Sequence, residues 1–129
     1  EFHNILPYEY YKKSMDLLSQ KVKLDEYLIF YFCEKEDNDT VGKIVKKLEK
    51  EYNLKNFEKT DDDISDWQQL LIMSCCNINI IANSSFSWWG AYLNNASDKI
   101  VIYPSKWFGP RIHADTKDLF PPSWEKIDL

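Results

Sequence analysis

Residues 27–33 read Y-L-I-F-Y-F-C, an apolar and aromatic run with no polar interruption. No other stretch narrows the folding options of the chain so much. A strand with one wet face alternates apolar and polar side chains. An unbroken run with aromatic and β-branched bias suits a strand covered on both faces, as in a parallel sheet. Residues 78–82 and 99–103 (K-I-V-I-Y) read as further strands, and 54–57 as a short one. Between them the apolar period changes to that of helices. Residues 7–22 open with a Pro suited to a first helical position and place Tyr11, Met15, Leu18 and Val22 at steps of three or four. Asp39 or Thr40 can cap a helix carrying Val41, Ile44, Val45, Leu48 and Tyr52 on one face. From Asp66 a third helix puts Trp67, Leu70, Leu71, Ser74 and Cys75 on one stripe, and residues 87–94 form a fourth. The Pro-rich tail reads as loop with room for a short helix.

The resulting order, α-β-α-(β)-α-β-α-β, predicts an α/β fold: a Rossmann-like open parallel sheet with helices on both faces. Such a unit normally opens with a strand, so the first strand is expected to be missing, and an uncovered edge would favour a homodimer. A length of 129 residues fits one domain over 1–129 with one hydrophobic core. The net charge of −5 gives no general field for nucleic acid, so an anionic ligand needs a local site. Arg111 is the sole arginine among 16 basic residues, which limits planar bidentate phosphate clamps. Cys33, Cys75 and Cys76 lack zinc or disulfide spacing and read as reduced, buried thiols. The sequence shows no signal peptide and no 18-residue apolar stretch, so a cytoplasmic or membrane-peripheral location is expected. Without a targeting signal, the sequons at Asn38, Asn83 and Asn95 carry little weight.

The acidic run Asp61-Asp62-Asp63 resembles a carboxylate cluster but reads better as helix-start charge favoured by the macrodipole. A hydrolase built from Glu34, Asp61 to Asp63, Asp66 and His113 is disfavoured, because no spacing sets two carboxylates across one bond. His113, beside Arg111 in a Gly-Pro loop, reads as a surface residue, although that loop could touch a ligand from the domain's edge.

The most informative chemistry lies at residues 80–92, I-I-A-N-S-S-F-S-W-W-G-A-Y. In parallel sheets ligands bind beyond the carboxyl ends of the strands, where the next helix presents free N–H groups and the positive end of its dipole. Here a strand ends near Ala82, Asn83-Ser84-Ser85-Phe86-Ser87 form the loop, and Trp88-Trp89 begin the helix. The serines can cap that helix or bond phosphate oxygens, and Phe86 can lie against a ring. Successive helical residues point about 100° apart, so one tryptophan can face the core while the other lines a crevice. The same spacing also serves a capped helix whose tryptophans merely pack on the sheet.

The segment S-C-C-N-I-N-I-I-A-N-S-S-F-S-W-W-G-A-Y-L resembles the signature of the family-11 glycosyltransferases, the α-1,2-fucosyltransferases. Flanking matches run in order: Y-Y-K-K-S-M-D at 10–16, F-Y-F-C-E at 30–34, D-W-Q-Q-L-L-I-M-S at 66–74, P-S-K-W-F at 104–108 and D-L-F-P-P-S-W-E-K-I at 118–127. The similarity spans about residues 7–127. It implies one half of a GT-B architecture, the carboxyl-terminal domain that binds GDP-fucose as donor substrate. It also implies inverting transfer to the 2-hydroxyl of a galactoside glycan acceptor, with no cofactor and no metal. Carried over by position, Asn83, Ser84, Ser85, Phe86 and Ser87 sit beside the donor, Trp88 and Trp89 shape the pocket wall, and Asp66 supports the loop or touches the nucleotide. The general base is not identified. Two departures stand out. The family's His-x-Arg-Arg-x-Asp motif is absent, with the chain starting after it, and Ile78 stands where many members carry His. Without that Arg pair, two charge-assisted phosphate contacts of about 1.5–3 kcal/mol each are lost, and the isolated chain is expected to be inactive. The alternative is a non-catalytic nucleotide-sugar or glycan-binding, or interaction, module.

Overall fold

The computed structural model describes residues 6–129. Four helices alternate with five short parallel strands: α1 Tyr8–Ser19, β1 Ile29–Tyr31, α2 Asn38–Tyr52, β2 Phe57–Lys59, α3 Asp66–Ser74, β3 Ile78–Ile80, α4 Ser85–Tyr92, β4 Ile100–Pro104 and β5 Glu125–Ile127. The α/β arrangement with parallel strands is the one expected from the sequence. The strands fall into two hydrogen-bonded sheets, β1-β2 and β3-β4-β5, and the chain divides into two compact units. One unit runs through Ser14 and resumes over Leu70–Leu129; the other is Met15–Gln69. No helix among the described residues is long and apolar enough to cross a membrane.

In the unit that contains β3, β4 and β5, Ile78, Asn79 and Ile80 pair with Ile100, Val101 and Ile102, and Ile102, Tyr103 and Pro104 pair with Glu125, Lys126 and Ile127. Ile81, Ala91, Val101, Trp107 and Trp124 form its core, with Trp88, Tyr103, Phe108, Leu119 and Phe120 packed against them. β5 lies in the tail expected to be loop. Its three residues, Glu125-Lys126-Ile127, include one apolar side chain and no apolar pattern, and pairing with β4 creates it. From α1, fully buried Tyr10 donates its hydroxyl to the Ile81 carbonyl at 2.5 Å, with the Ile102 carbonyl at 3.3 Å. The helical stripe through Tyr11 missed this anchor.

In the other unit, Ile29, Phe30 and Tyr31 pair with Phe57, Glu58 and Lys59. The strand expected over 27–33 is shorter, and Leu28 and Phe30 are 56% and 39% exposed, so the run is not covered on both faces. Apolar content signals a strand without saying how many of its faces are covered. Helix α2 buries Val45 and Leu48 and ends at Asn53, whose φ of 51° is the left-handed cap that asparagine tolerates. Its N-cap is Asp37, two or three residues before the expected Asp39 or Thr40, and no side chain caps it. The residues Asp61 to Asp63 form a turn before α3 and not its first turn. There Asp62 pairs with Lys59 and accepts from Asn38 at 3.2 Å, while the Asp63 amide bonds Asp61. These carboxylates serve a turn rather than a helix dipole. The expected α3 stripe is largely turned outward: Trp67 and Leu71 are 63% and 53% exposed, and Cys75 is exposed too. The three thiols are free, yet none is fully buried.

Candidate functional site

The junction between β3 and α4 is built by its own serines. Beyond β3 the ladder continues through Ile81, whose amide bonds the Ile102 carbonyl at 2.9 Å. Ser84 is then extended (φ −135°, ψ 142°) and caps α4, its hydroxyl oxygen accepting from the Ser87 amide at 3.2 Å. The Ser87 hydroxyl lies 2.8 Å from that of Ser84 and within reach of the Ala82 and Ser84 carbonyls at 3.0 and 3.1 Å. Helix α4 therefore starts at Ser85, two residues before the expected Ser87, because Ser84 is the better-placed cap.

Asn83 is buried and donates from Nδ2 to the Trp107 carbonyl at 3.2 Å, fastening the loop to the segment after β4. Its carboxamide holds the loop in place. Trp88 is half-buried, sends its indole N–H to the Leu119 carbonyl at 3.0 Å and packs near Trp124. Trp89 is 49% exposed, with its ring nearly perpendicular to Trp88 and to Tyr92. One of the paired indoles thus faces the core and the other faces out. Ser85 and Phe86 are exposed on the first turn, and their two amides, unlike that of Ser87, have no acceptor within the helix or its cap. Such a turn suits phosphate oxygens, and Phe86 and Trp89 offer aromatic surface beside it.

The far end of α4 is fastened as well. The Lys99 ammonium donates to the carbonyls of Ala91 and Asn94 at 2.9 and 2.8 Å, a cation against the negative end of the helix. Buried Asn94 donates to the Cys76 carbonyl and to Asn79 Oδ1 at 2.9 Å, while Asn79 donates to the Met73 carbonyl at 2.9 Å. Gly90 lies so close to α3 that a Cβ there would meet Met73 Cβ at 2.8 Å. Sequence reasoning missed all of these supports; lone Asn, Lys and Gly residues carry no period that would reveal them.

Asn83 through Trp89 thus form one continuous loop and helix start in one unit. Asp66 is exposed on the first turn of α3 and belongs to the other unit. Among the described residues no three His, Cys, Asp or Glu side chains converge as metal ligands.

The sequence profile of glycosyl transferase family 11 matches residues 2–128, and the chain belongs to that family. Two relatives from Escherichia coli are similar to it. One is an O-antigen biosynthesis glycosyltransferase, WbnK, 34% identical over 84% of this chain and 33% of its own length. The other is an α-1,2-colitosyltransferase, 29% identical over 99% of this chain and 41% of its own length. The chain therefore spans between a third and two fifths of these relatives. No solved structure matches it significantly.

Proposed function

We propose that this chain is the donor-binding part of an inverting glycosyltransferase that moves L-fucose from GDP-fucose to the 2-hydroxyl of a galactoside. The observation that carries this reading is the capped start of α4, with exposed Ser85 and Phe86 on its first turn, in a member of family 11. In the proposed reaction an acceptor hydroxyl attacks the anomeric carbon as the bond to GDP breaks, and negative charge grows on the departing diphosphate. Outward amides and the positive helix end stabilise that charge without reorganising. Asn83, Ser84 and Ser87 hold the turn in shape, Ser85 and Phe86 meet the donor, and Trp88 and Trp89 shape the pocket wall. No metal is required. The acceptor glycan is taken by a second domain of a GT-B enzyme, and homodimerisation through a sheet edge belongs to the same proposal.

Similarity to a colitosyltransferase supports a second donor reading, in which the sugar moved is colitose. Calorimetric titration of the chain and of a longer polypeptide spanning the full length of such relatives tests both. Millimolar binding of GDP-fucose by the chain and tight binding by the longer form are expected. Preference for the colitose nucleotide would shift the donor assignment, tight binding without turnover would favour a binding module, and silence from both proteins would refute the donor site.

A further inference from the structure

Residues 81–92 contain no Lys or Arg, and a helix end supplies only about half a charge. A diphosphate seated at α4 therefore needs a cation from a neighbouring segment. In a parallel sheet that segment comes from the carboxyl end of an adjacent strand. β4 pairs directly with β3, and the residues that follow it are Ser105-Lys106-Trp107. This stretch is held on both sides of the lysine. The Ser105 amide bonds the Ile127 carbonyl at 2.9 Å, and the Ser105 hydroxyl accepts from the Leu129 amide at 3.1 Å. Trp107 is buried in the core, and its carbonyl accepts from Asn83, the residue before the α4 cap. Lys106 itself is exposed.

The other cations of this unit are engaged or less firmly placed. Lys13 bonds the Asp128 carbonyl at 3.0 Å, Lys99 is spent on the end of α4, and Lys126 faces Asp128 at 3.8 Å. Arg111 sits on a turn closed by the Ile112 amide and the Gly109 carbonyl at 3.1 Å, and Lys117 lies on an exposed stretch beside Asp118. Among the described residues the Lys106 ammonium has no hydrogen-bond or ion-pair partner, so it costs no existing contact to recruit it. We propose that Lys106 is the phosphate-binding cation of the site, placed by the Asn83–Trp107 hydrogen bond beside the amino end of α4. This inference rests on the donor reading above. Its chemistry is that of a point charge against a nucleoside diphosphate, strengthened because the backbone on either side is fixed before the ligand arrives.

The test is nuclear magnetic resonance titration of the full ¹⁵N-labelled chain with GDP and, separately, with inorganic pyrophosphate. Both ligands should shift the Ser85 and Phe86 amides. Lys106→Met should weaken both roughly tenfold, as expected for losing one charge-assisted contact, and Lys106→Arg should restore most of the affinity. Arg111→Met and Lys117→Met should stay within about twofold of the parent. Shifts at α4 that survive Lys106→Met unchanged would overturn the lysine assignment and leave the donor site standing. Absence of any shift at α4 would remove the donor site and Lys106 together. A thermal melt of each variant separates binding from folding.

Discussion

Ser84 uses its oxygen on the Ser87 amide and the Ser87 hydroxyl, so its first duty is structural. A side chain can cap a helix and still influence a ligand through its charge, and the two roles separate by substitution. Ser84→Ala should cost about 1 kcal/mol of stability, read from urea denaturation, because a first-turn amide loses its acceptor. Ser84→Asp should keep the cap and suit the positive helix end, leaving stability within about 0.5 kcal/mol of the parent. The same aspartate would place a negative charge where the diphosphate is proposed to sit, so GDP affinity should fall at least tenfold. If Ser84→Asp bound GDP like the parent, the diphosphate would have to lie elsewhere.

At the scale of elements, α4 is fixed at three places: the serine cap, the Lys99 and Asn94 contacts at its carboxyl end, and the close approach of Gly90 to Met73. Gly90→Ala tests the third. In an isolated helix alanine would gain about 1 kcal/mol over glycine. Here the new methyl meets Met73 Cβ at 2.8 Å and Met73 Sδ at 2.9 Å; the sulfur can swing aside, whereas the Cβ moves only with its helix. Overpacking should win, with a net loss of about 1–3 kcal/mol in denaturant unfolding. A gain in stability would show that α3 and α4 have slack between them. How far this design was legible follows from what each element shows in sequence. The period of α2 and the apolar β3 and β4 announce themselves, and the Asn-Ser-Ser turn carries its cap chemistry openly. β5 has no pattern of its own. The apolar stripe Trp67–Leu71–Cys75 has the right period but points outward, because period reveals a face without saying what covers it. Tyr10 reads as an ordinary aromatic until the two strand carbonyls that take its hydroxyl are seen.

For the whole molecule, burial of weak acids sets the alkaline limit of stability. Burial raises Tyr10 and Tyr11 above the ordinary tyrosine value of 10.0 and raises Cys33 and Cys76 above the ordinary thiol value of 9.0. For Tyr10 a smaller upward push from Tyr11 adds to burial, against a lowering contact with Ser14. Above these ordinary values the unfolded chain has released protons that the folded chain still holds. Stability is therefore fully present below about pH 9 and falls as pH rises, first through the thiols and then through the tyrosines. Once the unfolded Tyr10 ionises, this buried group alone contributes a slope of up to about 1.4 kcal/mol per pH unit. Tyr10→Phe removes that slope together with the bond to the Ile81 carbonyl. The variant should be about 1–3 kcal/mol less stable at pH 7 yet lose stability more slowly above pH 10. Tryptophan fluorescence in urea is a suitable probe, since Trp88, Trp89, Trp107 and Trp124 lie in the unit that Tyr10 anchors and only Trp67 lies in the other. Equal alkaline slopes in parent and variant would mean that the phenol reaches water in the folded chain, and that the tie from α1 to Ile81 and Ile102 is not what holds this sheet.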